Sequence, residues 1–505
     1  MSFGSLRIVG GAGEAHDHGS SCGTENVHIS PEGAQVSAAD YAGNVAIVTL
    51  GCAKNQVDSE VMLGAFAQKG FQVVSELPLA DVIVVNTCGF LQSAVEEGVD
   101  RILEAAEFKK TGRCRKLIVA GCMVERYRDK LLAEFPEVDR FLSTDELLKV
   151  ANDEITSDDC LSEARRPYFL YDELMPRALS DAGSSAYLKI SEGCDRPCTF
   201  CIIPKIRGSF RSRKPESVIA EARNLLASGV REINLVGQDL TAYGADFAGP
   251  GKASVSTGDS GLLSLLEMLG NLQSVDPYWV RLLYAYPVGV TERLVQMLQE
   301  NTSICSYLDL PLQHISSAVL KRMQRPLGAR GTRGLIENIR RQAPAVALRT
   351  TFIVGFPGET DEDVEELLQF INEGHFMHVG IFTYSQEEEA KAFTFDQQVD
   401  EDVKEERRAM LMEAQQAVVE RRLEEYVGKR LRVLVEGTHE ESDLLLVGRS
   451  EFQAPETDGV VIINEIAEEL EQGEDGSGSP DFSGRFCEVE VTEVAGYDLV
   501  ATIVG

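Results

Sequence analysis

The chain has 505 residues, 44% hydrophobic and 26% charged, with 48 basic against 81 acidic side chains and a net charge of −33. That length predicts about three domains, the composition is that of an ordinary soluble enzyme, and the charge argues against a protein whose whole surface grips phosphates. No apolar run approaches the ~20 residues that span a bilayer. The N-terminus lacks the basic start and apolar core of a signal peptide, so the expected compartment is the cytoplasm. There the eleven cysteines are read as ligands or core residues, not disulfides.

Residues 1–43 are rich in Gly, Ser and Ala with little periodicity and read as a mostly disordered tail. His16 and His18 form an H-x-H within it, which is not by itself a metal site. From 44 the pattern changes. "NVAIVTLGC", "DVIVVNTCGF" and "KLIVAGCMV" are β-branched runs of the kind that buried parallel strands show. Helices are expected near 57–69 and 92–108, giving a βαβ open-sheet domain over 44–150. Cys52, Cys88 and Cys122 each sit just past one apolar run, 36 and 34 residues apart. Parallel strands end on the sheet edge where ligands bind, so these cysteines are expected to share a site. The plainer alternative is three small buried residues at strand ends.

A charged stretch over 145–183, containing Pro167 and Pro176, reads as a linker. A second βα series follows over 184–425. Strands are expected at 186–191, 232–237, 280–285, 307–312, 349–355 and 378–384, with helices such as 215–228, 291–300 and 360–373. Six units predict an open, partial (β/α)6 barrel. Residues 244–261 read as a surface loop. A charged helix runs from about 400 to 427 and ends at Gly428, a C-terminal cap. Over 428–505 short runs such as "RLRVLVEG", "GVVIIN" and "RFCEVEVTEV" predict a small β-barrel. The fold class is therefore α/β with a small C-terminal β-barrel.

The stretch "GCDRPCTFC", residues 193–201, places Cys194, Cys198 and Cys201 at C-x3-C-x2-C spacing. A structural zinc site wants four ligands. Three thiolates can hold three irons of a cubane cluster whose usual set is four cysteines, leaving one iron open. The motif follows the strand "YLKIS", and loops after strands form the active face of βα barrels. With Phe200 before the last cysteine, this resembles the radical S-adenosylmethionine superfamily. The resemblance implies that the open iron of a 4Fe-4S cluster chelates S-adenosylmethionine. One electron then cleaves the cofactor to methionine and a 5′-deoxyadenosyl radical, which abstracts hydrogen from an unactivated C–H bond.

Three further cysteines on an N-terminal βα domain, a radical core and a small β-barrel together resemble the methylthiotransferases over about 44–505. That resemblance implies a second 4Fe-4S cluster on Cys52, Cys88 and Cys122, in "GCAKN", "NTCGF" and "GCMVE". Its open iron holds a sulfur species that one S-adenosylmethionine methylates, while a second activates the substrate carbon. "LVGQDLTAYG", "LDLPLQHISSAVLKRMQR" and "TTFIVGFPGET" resemble the same family. The last implies that Gly355 lies near the adenosine, although Thr351 stands where glycine is often seen. Its plain reading is a turn at Gly355 and Pro357-Gly358. Gln313 and His314 are expected near the pocket, because loops after barrel strands line it. Cys22, Cys114, Cys160, Cys305 and Cys487 match no motif.

One branch of the family modifies an adenosine in tRNA, the other an aspartate β-carbon in ribosomal protein S-twelve. "GCAKNQVDSE" (51–60) and "SEGCDRPCTFCIIPKIRG" (191–208) resemble the protein branch. The C-terminal barrel, with "GRSEFQAPETDG" (448–459), resembles the TRAM domain, which usually serves RNA. Residues 428–505 carry five Lys/Arg against eighteen Asp/Glu. That is a poor surface for phosphate and a complementary one for a basic ribosomal protein. The expected activity is aspartate methylthiotransfer, with tRNA adenosine methylthiotransfer as the alternative. The expected partners are that ribosomal protein and a reductant of flavodoxin or ferredoxin type, with no membrane contact. A monomer is expected, and the sulfur donor is not legible in the sequence.

Overall fold

The structure, a computed structural model, describes residues 7–9, 41–151, 170–179, 183–247, 261–467, 470 and 481–505. Most of the expected tail, with His16, His18 and Cys22, lies outside the described residues. So do the middle of the expected linker, with Cys160 and Pro167, and residues 248–260 of the expected surface loop. The chain forms two compact units. One comprises 1–182, 187–195 and 202–228, the other 183–186, 196–201 and 229–505.

In the first unit the apolar runs build a five-stranded parallel sheet. Its order is Phe71–Val73, Gly43–Thr49, Val82–Thr87, Lys116–Gly121, Arg140–Leu142. In chain order this is 2-1-3-4-5, a doubly wound sheet whose ligand edge lies at the carboxyl ends of the first and third strands. Val82–Thr87 is buried at every position, which explains its unbroken apolar run. Helices Gln92–Thr111 and Cys122–Glu134 cover one face through Ile102, Ala105, Met123 and Leu131. Helix Ala53–Gln68 covers the other through Met62, Leu63 and Phe66.

Two expectations are corrected here. The outer strands Phe71–Val73 and Arg140–Leu142 extend the expected three-stranded unit to five; three residues each carry too little periodicity to stand out. Arg7–Val9, inside the expected disordered tail, pairs antiparallel with Arg177–Leu179, inside the expected linker. The latter strand is wholly buried, although the charged, proline-containing stretch around it reads as linker. The Arg177 guanidinium is neutralised inside the unit by Glu60 (2.6 Å) and Glu221 (2.8 Å). Gly64 permits the approach of helix Ala53–Gln68 to this segment, since a Cβ there would stand 2.2 Å from the Pro176 carbonyl oxygen.

The second unit carries the parallel strands Glu232–Val236 and Trp279–Leu282. A second group is Tyr307–Asp309, Ala347–Val354 and His378–Thr383. A bridge between Val280 and Ile304 joins the two groups. The Ser184 carbonyl accepts from the N–H groups of Arg231 and Glu232, at 2.6 and 2.9 Å, beside the start of strand Ser185–Lys189. Helices alternate with these strands, so the partial βα barrel is present and its strand ends shift by at most three residues from expectation. Helix Asp361–Asn372 starts at a reciprocal Thr360/Asp363 cap. Helix Glu401–Glu424 leads to Gly428 (φ 77°) and a closed five-stranded barrel. The barrel order is Arg430–His439, Ser442–Ser450, Val461–Ile466, Asp498–Ile503, Phe486–Ala495.

The segment 448–459 docks this small barrel on the βα strands. Arg281 donates to Glu232 Oε1 (2.7 Å) and to the Glu451 carbonyl (2.7 Å), and Arg449 Nη1 reaches the same Glu232 oxygen at 3.2 Å. The Tyr307 hydroxyl donates to Asp458 (2.7 Å), and His378 Nε2 lies 2.8 Å from the Phe452 carbonyl. Glu232, Tyr307 and His378 each open their strands. The small barrel is therefore seated at the amino ends of the strands, opposite the carboxyl ends from which ligand-binding loops spring.

Candidate functional site

Three neighbouring strands of the parallel sheet end at cysteines. Gly43–Thr49 runs into Leu50-Gly51-Cys52, Val82–Thr87 into Cys88, and Lys116–Gly121 into Cys122. The sheet thus brings residues 36 and 34 positions apart in sequence to one edge. The approach is close enough to demand glycine. Gly51 has φ 99°, and a Cβ on it would lie 2.8 Å from Cys88 Cβ and 3.3 Å from its sulfur. A Cβ on Gly89 would lie 2.7 Å from the Cys122 carbonyl oxygen. Both would force the loops apart.

Asn55, on the first turn of the helix that begins after Cys52, ties these loops together. Its Nδ2 donates to the Leu50 carbonyl (2.8 Å) and the Thr87 carbonyl (3.1 Å), while its Oδ1 stands 3.7 Å from Cys122 Sγ. That oxygen also accepts from Arg207 Nη2. Arg207 directs Nε at Cys122 Sγ (3.2 Å) and Nη1 at Asp58 (2.9 Å) and Glu192 (3.2 Å). Lys189 donates to Glu192 at 2.8 Å and also to Asp58. The result is a buried set of two cations and two carboxylates with a sulfur at one corner.

Burial pushes the Cys122 thiol up to about 12, with the Arg207 charge opposing it, and burial likewise raises Cys88. For Cys52 burial also acts upward, but the charges of Lys54 and Arg207 outweigh it and hold the thiol below its ordinary value. Among the described residues no three His, Cys, Asp or Glu side chains are placed to hold a single metal ion. Three soft thiols on adjacent strand ends, with glycine-lined approaches and a buried cation, suit an iron–sulfur cluster, which spreads its thiolates around a larger core.

The C-x3-C-x2-C cysteines fall in both units. In the first, the Cys194 N–H donates to the Gly208 carbonyl at 3.2 Å. Gly193 has φ 76°, and a Cβ there would meet the Ser209 carbonyl oxygen at 2.2 Å. In the second, the Cys201 N–H donates to the Cys198 carbonyl at 3.3 Å. Arg325 Nη1 lies 3.7 Å from Cys198 Sγ. The guanidinium groups of Arg325 and Arg196 stack on the Tyr286 ring at 4.3 and 4.1 Å, and Asp239 anchors Arg196 at 2.7 Å. Burial drives the Tyr286 hydroxyl up to about 12, against the pull of Arg325. Asp239 and Tyr286 follow the carboxyl ends of strands Glu232–Val236 and Trp279–Leu282.

Gln313 is half-buried with φ 76° and extends the sheet. Its N–H donates to the Thr351 carbonyl, and its own carbonyl accepts from Ile353, both at 2.8 Å. His314 is fully buried, Nδ1 accepting from the Ser316 N–H (2.9 Å) and Nε2 standing 3.6 Å from Glu359. Glu359 accepts from the N–H groups of Gly355 (3.0 Å) and Phe356 (3.3 Å) and pairs with Arg407 (3.0 Å). Gly355 has φ 71°, and a Cβ there would strike Lys404 Cγ at 2.2 Å, so this turn is packed against the long helix. Cys114, Cys305 and Cys487 are buried free thiols.

Sequence reasoning passed over Asn55, Asp58 and Arg207. All three lie inside quoted signatures, "GCAKNQVDSE" and "SEGCDRPCTFCIIPKIRG". Asn55 and Asp58 are spaced to share one helical face, the one usable signal.

Residues 44–143 match the Uncharacterized protein family UPF0004, residues 188–371 the Radical SAM superfamily and residues 427–504 the TRAM domain. The ribosomal protein uS12 methylthiotransferase RimO of Solibacter usitatus is 45% identical over 91% of this chain and 94% of its own length. Its counterpart from Geotalea uraniireducens is 44% identical over 91% and 98%. Among solved structures, the radical S-adenosylmethionine methyltransferase TsrM of Kitasatospora setae superposes with a TM-score of 0.49 at 13% identity, covering 68% of this chain and 75% of that one. No helix among the described residues is long and apolar enough to cross a membrane.

Proposed function

The chain belongs to the uS12 methylthiotransferase family of radical S-adenosylmethionine enzymes, and on that premise we propose that it adds a methylthio group to the β-carbon of an aspartate in uS12. The observation that carries this reading is the gathering of Cys52, Cys88 and Cys122 on adjacent strand ends, in a chain that also bears the C-x3-C-x2-C motif. Cys194, Cys198 and Cys201 hold the 4Fe-4S cluster that binds S-adenosylmethionine, and Cys52, Cys88 and Cys122 hold the second. When bound, these groups supply the electron, the radical that opens an unactivated C–H bond, and the sulfur.

The chain's own residues do the holding and shaping. Asn55 keeps the Cys52 and Cys88 loops at their separation, and Gly51 and Gly89 leave the room they need. Arg196 and Arg325, stacked on Tyr286 beside Cys198, give the face at the strands' carboxyl ends a positive character suited to carboxylate groups. Gly355 and Gln313 stand beside the strand Ala347–Val354 and are taken as part of the cofactor pocket. The domains are taken as 44–150, 184–425 and 428–505, preceded by a tail at 1–43. The protein is placed in the cytoplasm as a monomer, drawing electrons from a flavodoxin or ferredoxin.

The C-terminal module carries few cations with which to hold RNA, five against eighteen acidic side chains. Of its five cations, Arg449 is buried against Glu232, Arg430 lies 3.4 Å from Glu488, and Arg432 stacks on Phe486 at 4.0 Å. The test is anaerobic. Iron and sulfide are reconstituted, and dithionite and S-adenosylmethionine are added. A peptide from the uS12 target loop is then offered beside a tRNA anticodon stem. A gain of one CH2S unit on the peptide aspartate is expected; the same gain on adenosine would overturn the assignment.

A further inference from the structure

We propose that Arg207 is a positioning residue of the N-terminal thiolate site, a buried cation that hydrogen-bonds the Cys122 sulfur and sets the reduction potential of the group held there. This rests on the reading that Cys52, Cys88 and Cys122 hold an iron–sulfur cluster. The side chain is 3% exposed, and all three guanidinium nitrogens are engaged: Nε with Cys122 Sγ at 3.2 Å, Nη1 with Asp58 and Glu192 at 2.9 and 3.2 Å, Nη2 with Asn55. A planar fork held at three points cannot rotate away from the sulfur.

The charge count supports a role beyond bracing the fold. Asp58 and Glu192 face both Lys189 and Arg207, so two carboxylates balance two cations before any thiolate is counted. Lys189 spends its ammonium on the carboxylates, while Arg207 turns Nε to sulfur. An N–H···S bond and a nearby positive charge both favour the reduced form of an iron–sulfur group, because net charge and hydrogen bonds to sulfur set its potential. Asp58 and Glu192 offset much of that charge at Arg207, so the directed N–H···S bond at 3.2 Å carries the larger part of the effect. The neighbouring Gly208 carbonyl holds the Cys194 N–H at 3.2 Å, so one dipeptide supports a cysteine of each set.

The experiment is a redox titration of the full-length, doubly reconstituted protein followed by electron paramagnetic resonance. Added S-adenosylmethionine perturbs the signal of the cluster it binds and so separates the two. Arg207→Gln removes charge and donor, Arg207→Lys keeps the charge, and Asp58→Asn removes an opposing charge. The N-terminal signal is expected to move to more negative potential in R207Q, less so in R207K, and to more positive potential in D58N. Shifts of opposite sign are not produced by a residue that merely braces the fold. An unmoved midpoint in R207Q would overturn the inference, as would shifts of one sign in all three variants or loss of the N-terminal iron in both R207K and R207Q. A wild-type protein showing one cluster would instead sink the underlying assignment of Cys52, Cys88 and Cys122.

Discussion

The Trp279 ring meets the Phe486 ring edge to face, with centroids 4.6 Å apart. Trp279 opens a strand of the βα barrel and Phe486 opens one of the small C-terminal barrel. It is the chain's one tryptophan, so its fluorescence reports the seating of one barrel on the other. Beside it Glu232 lies between Arg281 and Arg449. Removing one partner of such a buried set leaves an uncompensated charge and costs about 3–5 kcal/mol. Arg449→Ala is therefore expected to destabilise the protein by that order in urea unfolding and to shift the Trp279 emission. An Arg449→Ala protein with wild-type unfolding would show that the joint is held by apolar packing alone.

The same joint is expected to fail in acid. Burial works against the Glu232 carboxylate, but Arg449 and Arg281 overcome it and hold its pKa at about 2, below the ordinary 4.5. A depressed folded value means that the stability is fully present above the ordinary carboxylate range and is lost as pH falls toward about 2. The Trp279 emission should change across that window, and Glu232→Gln should remove the part of the change that this group contributes.

The two cysteine sets should separate by chemistry. Cys198→Ala is expected to abolish 5′-deoxyadenosine formation, read by liquid chromatography. Cys88→Ala should spare some cofactor cleavage while stopping thiolation of the peptide. Both variants still yielding methylthio-aspartate would show that these cysteines hold no cluster.

Gly51→Ala tests the close approach of the two loops directly. Its φ of 99° and the 2.8 Å from its Cβ position to Cys88 Cβ leave no room for a methyl group. The variant is expected to lose roughly half its iron, the share of one of two clusters, while the C-x3-C-x2-C set stays loaded. Iron and sulfide analysis after reconstitution reads this, and a full complement would show that the loop can yield.

If the acidic module guides a basic substrate, the KM for a uS12-derived substrate should rise with ionic strength as screening grows. Binding of the tRNA anticodon stem should be weak at every salt concentration. Tight, salt-sensitive tRNA binding would reverse the reading of the module.

Much of this molecule was legible from pattern alone. Unbroken β-branched runs mark strands covered on both faces, and "GCDRPCTFC" marks its chemistry by spacing, because ligand geometry is local when three donors share one loop. The strand-end positions of Cys52, Cys88 and Cys122 were legible for the same reason: parallel strands of a doubly wound sheet end on one edge. What the tertiary structure decided were relations between residues far apart in sequence. Arg207 lies 85 positions from the Cys122 sulfur it faces, and Arg449 lies 217 from Glu232. Neither leaves a periodic trace, since a buried ion pair needs only one residue from each segment. The tertiary structure also seated "GRSEFQAPETDG" at the amino ends of the barrel strands, because desolvated charges must find their partners wherever the chain brings them.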